Sequence, residues 1–132
     1  MTTQPSSATD IGTTFAAALA AKDFDRLAET FAPFVQMRAL LPPGPIELSG
    51  ATTVAAKFAT WFGGSDSVKL VRSGSDEIGD RLHVSYRLRT KNRDDPWRII
   101  EQHLFASLDE RRITALDLVC SGFRPDVREA NS

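Results

Sequence analysis

From Ser67 onward the chain alternates with a period of two for most of its remaining length, and short turn sequences cut that alternation into four segments. They run from Ser67 to Ile78, Arg81 to Lys91, Trp97 to Leu108 and Ile113 to Gly122. Gly79 and Asp80 separate the first two, Asn92 to Pro96 the next two, and Asp109 to Arg112 the last two. Connections this short join neighbouring strands antiparallel, so the pattern predicts a four-strand meander. Ser73, Gly74 and Ser75 interrupt the first long strand, where a bulge is expected to bend it.

The first half has a different rhythm. Ile11, Phe15, Ala18, Leu19 and Lys22 recur at spacings of three and four in an alanine-rich stretch, which predicts a helix with Asp10 as its cap. Asp23 opens a second short helix with Phe24, Leu27, Ala28 and Phe31 on one face, stopped by Pro33. Val35 to Leu41 reads as a strand, Pro42 to Pro45 as a loop, and Ile46 to Leu48 as a short return strand. Ser49 is placed to cap a third helix carrying Val54, Phe58, Trp61 and Phe62, which Gly63 and Gly64 end. Helices that must bury one face against a sheet predict an α+β fold: a curved antiparallel sheet with three covering helices around an apolar pocket. A chain of 132 residues has the size of one domain. The expected division is a flexible leader over 1–9, a single domain over 10–124 and a polar tail over 125–132.

Charge and cysteine content narrow the partners. Seventeen acidic residues against sixteen basic ones give a formal net charge of -1, a balance that directs the chain to neither nucleic acid nor an anionic membrane. Phe15 to Ala21 is too short an apolar stretch to cross a bilayer. The single cysteine, Cys120, allows no internal disulfide, and with two histidines it cannot complete the usual structural zinc set. No metal and no cofactor are expected, and the setting that fits is reducing and cytoplasmic. No glycine-rich phosphate loop, nucleophile elbow or metal-binding histidine motif occurs. Arg87, Arg89, Lys91 and Arg93 form a basic row at period two, read as a solvated strand face balanced by Asp94, Asp95 and Asp109.

Two stretches carry a family resemblance: Phe15 to Ala32, reading FAAALAAKDFDRLAETFA, and Glu101 to Leu118, reading EQHLFASLDERRITALDL. Together with the element order, they resemble the superfamily of nuclear transport factor 2, in its SnoaL-like and ketosteroid-isomerase-like branch, over roughly residues 10 to 124. That likeness implies a cone-shaped, mixed, curved sheet. It also implies a functional range from isomerases, cyclases and dehydratases to binding modules, among which fold alone does not choose. Aligned with the steroid isomerase pattern, the helix-one tyrosine falls on Phe15, the base aspartate on Ala39 and the protonated aspartate on His103. Neither Phe15 nor Ala39 can exchange a proton, so ketosteroid isomerase activity is not expected.

Carried onto sheet parity, the same alignment sends Val84, Tyr86, Leu88, Glu101, His103, Phe105, Leu116, Leu118 and Cys120 inward. With Phe15, Met37, Phe58 and Trp61 they would line a mostly apolar pocket for a small hydrophobic molecule. His103, Glu101 and Tyr86 are the candidate catalytic groups for cofactor-free proton transfer. The competing reading makes His103 a core residue hydrogen-bonded to a neighbour such as Tyr86, and the chain a non-catalytic binding or dimerisation module. Asp117, the position matching a cyclase aspartate, falls on the outer face, with Arg87 or Arg89 as its expected partner. That outer face is expected to show Ile100, Leu104, Ala106, Ala115 and Val119, and the resemblance implies a homodimer through it.

Overall fold

Pro33 does not separate the second helix from the first strand; it lies within that strand. The computed structural model describes residues 8–126, so most of the expected leader and tail lie outside the described residues. Helix α1 spans Ala8–Ala20, with Asp10 in its first turn, and α2 spans Phe24–Glu29. The Asp23 side chain accepts the Arg26 backbone N–H and so caps α2. Strand β1, Phe31–Leu41, then begins at once, and its pairing shifts between Phe31 and Gln36, an irregularity that accommodates Pro33. A tight turn leads into β2, Gly44–Ser49, which is longer than expected. Helix α3, Ala51–Phe62, is capped by Gly50 and not by Ser49, with no side-chain bond at the cap, and ends at Gly63.

Four long strands follow: β3 (Ser67–Ile78), β4 (Arg81–Lys91), β5 (Arg98–Asp109) and β6 (Arg112–Cys120), with the two-residue β7 (Arg124–Pro125) beside β5. The meander is antiparallel as expected, and the spatial order is β2-β1-β6-β5-β4-β3. The sheet is mixed because β1 runs parallel to β6. The irregularity in β3 lies between Leu70 and Arg72, just before the serine and glycine residues expected to carry it.

One side of the sheet is covered by helices. Phe15 of α1 meets Phe31, Phe58 and Tyr86 with ring centroids 5.4 to 6.0 Å apart, tying two helices to β1 and β4 in one aromatic cluster. Each of these rings is buried, contributing about 1.5–3 kcal/mol by transfer from water. Alternation does the rest: Leu82, Val84, Tyr86 and Leu88 of β4 point to the helices, and their neighbours point away.

Candidate functional site

Tyr86 and Gln102 are direct partners across β4 and β5, both buried on the helix-covered side. The Tyr86 hydroxyl donates to Gln102 Oε1, and Gln102 Nε2 donates to Cys120 Sγ at 3.2 Å. The same sulfur accepts the Gly122 backbone N–H at 3.3 Å. A polar chain thus runs from the core to the end of the sheet where β1 and β6 finish. Burial, with Cys120 acting in the same direction, pushes the Tyr86 phenol well above its ordinary pKa, so it stays a proton donor.

Cys120 borders a cavity of about 560 Å³ at that end of the sheet. Its apolar walls include Leu41, Pro42, Trp61, Ile100 and Phe123, and Ser121 and Arg124 join Cys120 on the polar side. An aromatic series fixes the wall: Phe58 to Trp61 at 5.1 Å, Trp61 to Phe62 at 6.4 Å, and Phe62 to Phe123 at 5.9 Å. The chain reaches Phe123 through Gly122, whose φ is +77 and whose Cβ would lie 2.8 Å from Pro42 Cγ. Only glycine meets both conditions without strain.

Of the residues expected to line a pocket, Phe15, Met37, Phe58, Val84, Tyr86, Leu116 and Leu118 do point inward, but they fill a packed core. Trp61 and Cys120 are the two among the expected residues that border the end cavity. Strand β5 corrects the expected parity by one residue. Ile100, Gln102, Leu104 and Ala106 are buried under the helices, whereas Glu101, His103 and Phe105 face the other side. The expected phase comes from the alignment with the isomerase pattern; by its own sequence β5 carries Ile100, Leu104 and Ala106 with Gln102 on one face and Glu101, His103 and Phe105 on the other. Gln102 can be buried because its amide oxygen and nitrogen both find partners; the Glu101 carboxylate has none inside and pairs with arginines outside. Ile100, Leu104 and Ala106 therefore leave the expected outer face, which keeps Ala115 and Val119.

On that outer face Glu101, His103 and His83 form a second chain. His103 Nε2 lies 2.8 Å from Glu101 Oε2, and His103 Nδ1 lies 3.0 Å from His83 Nε2. Both ring nitrogens of His103 are thus engaged, Nε2 donating to the ionised Glu101 carboxylate and Nδ1 sharing a hydrogen with His83 Nε2. The His83 ring stacks on Phe105 at 4.8 Å. Glu101 Oε1 also accepts from Arg87 Nε at 2.8 Å and Arg72 Nη2 at 3.2 Å. The His103 hydrogen bond, followed by that of Arg87, holds the Glu101 carboxyl below its ordinary range against the opposing effect of burial. The groove beside this chain, about 490 Å³, is bordered by Arg87, Glu101, His103, Val119 and Arg124. Asp117 faces outward as expected but pairs with Arg38 at 2.8 Å and Arg81 at 3.2 Å. Arg87 and Arg89 instead hold Glu101 and Asp126. Among the described residues no group of three His, Cys, Asp or Glu side chains is placed to hold a metal, and no helix is long and apolar enough to cross a membrane.

No protein-family model matches the sequence, and no curated protein matches it. Solved structures do. A protein from Catenulispora acidiphila with a ketosteroid isomerase-like fold, in complex with trimethylamine, superposes with a TM-score of 0.69 at 15% identity, covering 85% of each chain. A nuclear-transport-factor-2-like protein of unknown function from Cytophaga hutchinsonii gives 0.63 at 18% identity over 100% of both chains. An uncharacterised cystatin-fold protein from Novosphingobium aromaticivorans gives 0.68 at 12% identity, covering 86% of this chain and 97% of that one. The fold is that of the nuclear-transport-factor-2-like cone.

At such identities the likeness reaches the fold and stops there. Within this nuclear-transport-factor-2-like cone, Phe15 and Ala39 are both buried on the inner side, where neither offers a proton. The buried polar residue at the level of the third isomerase position is Gln102, a neutral amide, with His103 turned away from it. Gln102 was missed by sequence reasoning. Its one available signal was an uncharged amide flanked by apolar residues at even spacing, Ile100 and Leu104.

Proposed function

We propose that the chain binds a small apolar molecule in the cavity at the β1 and β6 end, and that it does not carry out steroid isomerase chemistry. The observation that carries this reading is the make-up of that cavity, with mostly aliphatic and aromatic walls and polar groups confined to one segment, at Cys120, Ser121 and Arg124. Its volume of about 560 Å³ lies within the range of small-molecule sites. A ligand would lay its apolar body on Trp61 and Phe123 and turn one polar group to the Cys120 edge. The chain from Tyr86 through Gln102 holds that edge in place. Tyr86 acts as a fixed donor to Gln102, while Glu101 and His103 act together on the opposite side of the sheet. The free thiol of Cys120, used as a hydrogen-bond acceptor, supports a reducing, cytoplasmic setting.

Titration with an anilinonaphthalene dye, followed by its fluorescence, tests the site. Wild type is expected to bind saturably, and Trp61→Ala to lose at least tenfold in affinity while keeping its circular dichroism spectrum. Unchanged dye affinity in a folded Trp61→Ala variant would move the site elsewhere.

A second reading concerns the outer face. Leu40 and Val119 are partners across β1 and β6 there, 56% and 50% exposed, with His103 opposite Val119 on β5. An apolar pair ringed by ion pairs has the make-up of an interface core with its rim, which supports a homodimer through this face. Val119→Arg is then expected to shift sedimentation toward the monomer.

A further inference from the structure

We propose that the free edge of β3 is a pairing surface for a second copy of this chain, adding strand to strand about a two-fold axis at Gly74. Among the described residues β3 closes one end of the sheet, hydrogen-bonded to β4 on one side and to no strand on the other. It is 12 residues long and free of proline. Such an edge offers a row of backbone donors and acceptors to any strand that can lie beside it.

The side chains of this edge fit their own reversed copy. From Leu70 to Ile78 they run apolar at Leu70 and Val71, cationic at Arg72, small at Ser73, Gly74 and Ser75, anionic at Asp76 and Glu77, and apolar again at Ile78, with Glu77 on the helix side opposite Leu82. Register with β4 puts Arg72, Gly74 and Asp76 opposite Arg87, Ser85 and His83, on the outer face, and turns Ser73 and Ser75 to the helix side. Residues directly opposite in an antiparallel pair share a face. A two-fold axis at Gly74 therefore sets each Arg72 against the Asp76 of the second copy, twice over, with two glycines meeting at the axis. The irregularity between Leu70 and Arg72 limits the new ladder to the stretch beyond it. Beyond the charge pairs the ladder ends at Ile78, 54% exposed, on the outer face, while Leu70, opposite Leu88, lies on the helix side and takes no part in the pairing.

The charges are available for this. Asp76 has no ion pair of its own among the described residues, while Arg72 spends one nitrogen on Glu101 at 3.2 Å with its side chain 62% exposed. A guanidinium has donors enough to serve Glu101 and Asp76 together. The parallel alternative, a head-to-tail copy, would set like charges side by side and is disfavoured by the same pattern. This surface lies at the β3 edge, away from Leu40 and Val119, and its existence does not depend on the cavity or on the outer-face dimer.

Charge reversal tests it by sedimentation velocity across a concentration series. Asp76→Arg and Arg72→Asp are each expected to weaken self-association at least tenfold, because each turns two attractions into two repulsions. The double variant, Arg72→Asp with Asp76→Arg, restores complementarity and is expected to recover association. Hydrogen exchange on wild type gives a readout that needs no variant: amides of residues 72–76 should gain protection as protein concentration rises. Failure of the double variant to recover, or exchange at 72–76 that ignores concentration, overturns the proposal. A dimer that resists both single reversals but yields to Val119→Arg also overturns it, and assigns the interface to the outer face.

Discussion

Removing the Tyr86 hydroxyl alone should cost more than removing it together with its partner. In Tyr86→Phe the ring stays against Phe15, but Gln102 Oε1 loses its donor in a site closed to water. An unsatisfied buried acceptor costs about 1–3 kcal/mol. Gln102→Leu strands the phenol instead and takes the amide donor from Cys120, for a similar cost of about 1–3 kcal/mol. Were the two independent, the double variant would lose about 2–6 kcal/mol. Together, however, they replace a hydrogen-bonded pair by an apolar pair of nearly the same shape, and the double loss should stay below about 2 kcal/mol. Urea unfolding of the four proteins at pH 7 measures the cycle, with a constant m-value as the check that the same transition is compared. Additive losses would refute the claim that Tyr86 and Gln102 depend on each other, and with it the inward phase of β5.

Two further expectations concern packing and acid. A Cβ on Gly12 would lie 2.1 Å from Ser75 Oγ and 2.8 Å from Val84 Cγ2, so Gly12→Ala should push α1 off β3 and cost about 1–3 kcal/mol in thermal unfolding; an unchanged midpoint would refute the close approach. Glu101 and Asp117 are both held below their ordinary pKa, chiefly by the hydrogen bonds from His103 and Arg38 respectively. A depressed folded-state pKa means stability present above the unfolded-state pKa and lost as pH falls through the folded one. Wild type should therefore lose stability more steeply than the double variant Glu101→Gln, Asp117→Asn as pH drops below about 4.5, and parallel curves would count against both pairs.

Much of this fold was legible because it rests on local signals. The four strands of the meander were marked by period and by turn residues, and Asp23 and Gly63 bound helices where their chemistry predicts. What escaped depended on long-range choices. β1 runs through Pro33 because the irregularity beside β6 leaves that residue without a ladder bond to make, a fact fixed some eighty residues further on. The phase of β5 escaped because the alignment with the isomerase pattern puts His103 inside, although Ile100, Leu104 and Ala106 make the more apolar face and Tyr86 and Cys120 satisfy the Gln102 amide between them. For the candidate site, the sequence marked Trp61 and Cys120 as inward-facing, while the turn at Gly122 that brings Phe123 over them had no period to announce it.

The parallel seam between β1 and β6 also sets an order of events during synthesis. Arg38 and Asp117, joined across that seam, are 79 residues apart in the chain. The hairpins of β3 to β6 can form as each strand is completed, since every pairing there is with the next segment. β1 has to wait: with β2 as its early neighbour among the described residues, it stays half-bonded until β6 has left the ribosome. Loop closure over such a span is slow compared with hairpin formation. The interval leaves Met37 and Ala39 exposed on an unfinished edge, which makes the growing chain, more than the finished one, the form in need of a chaperone.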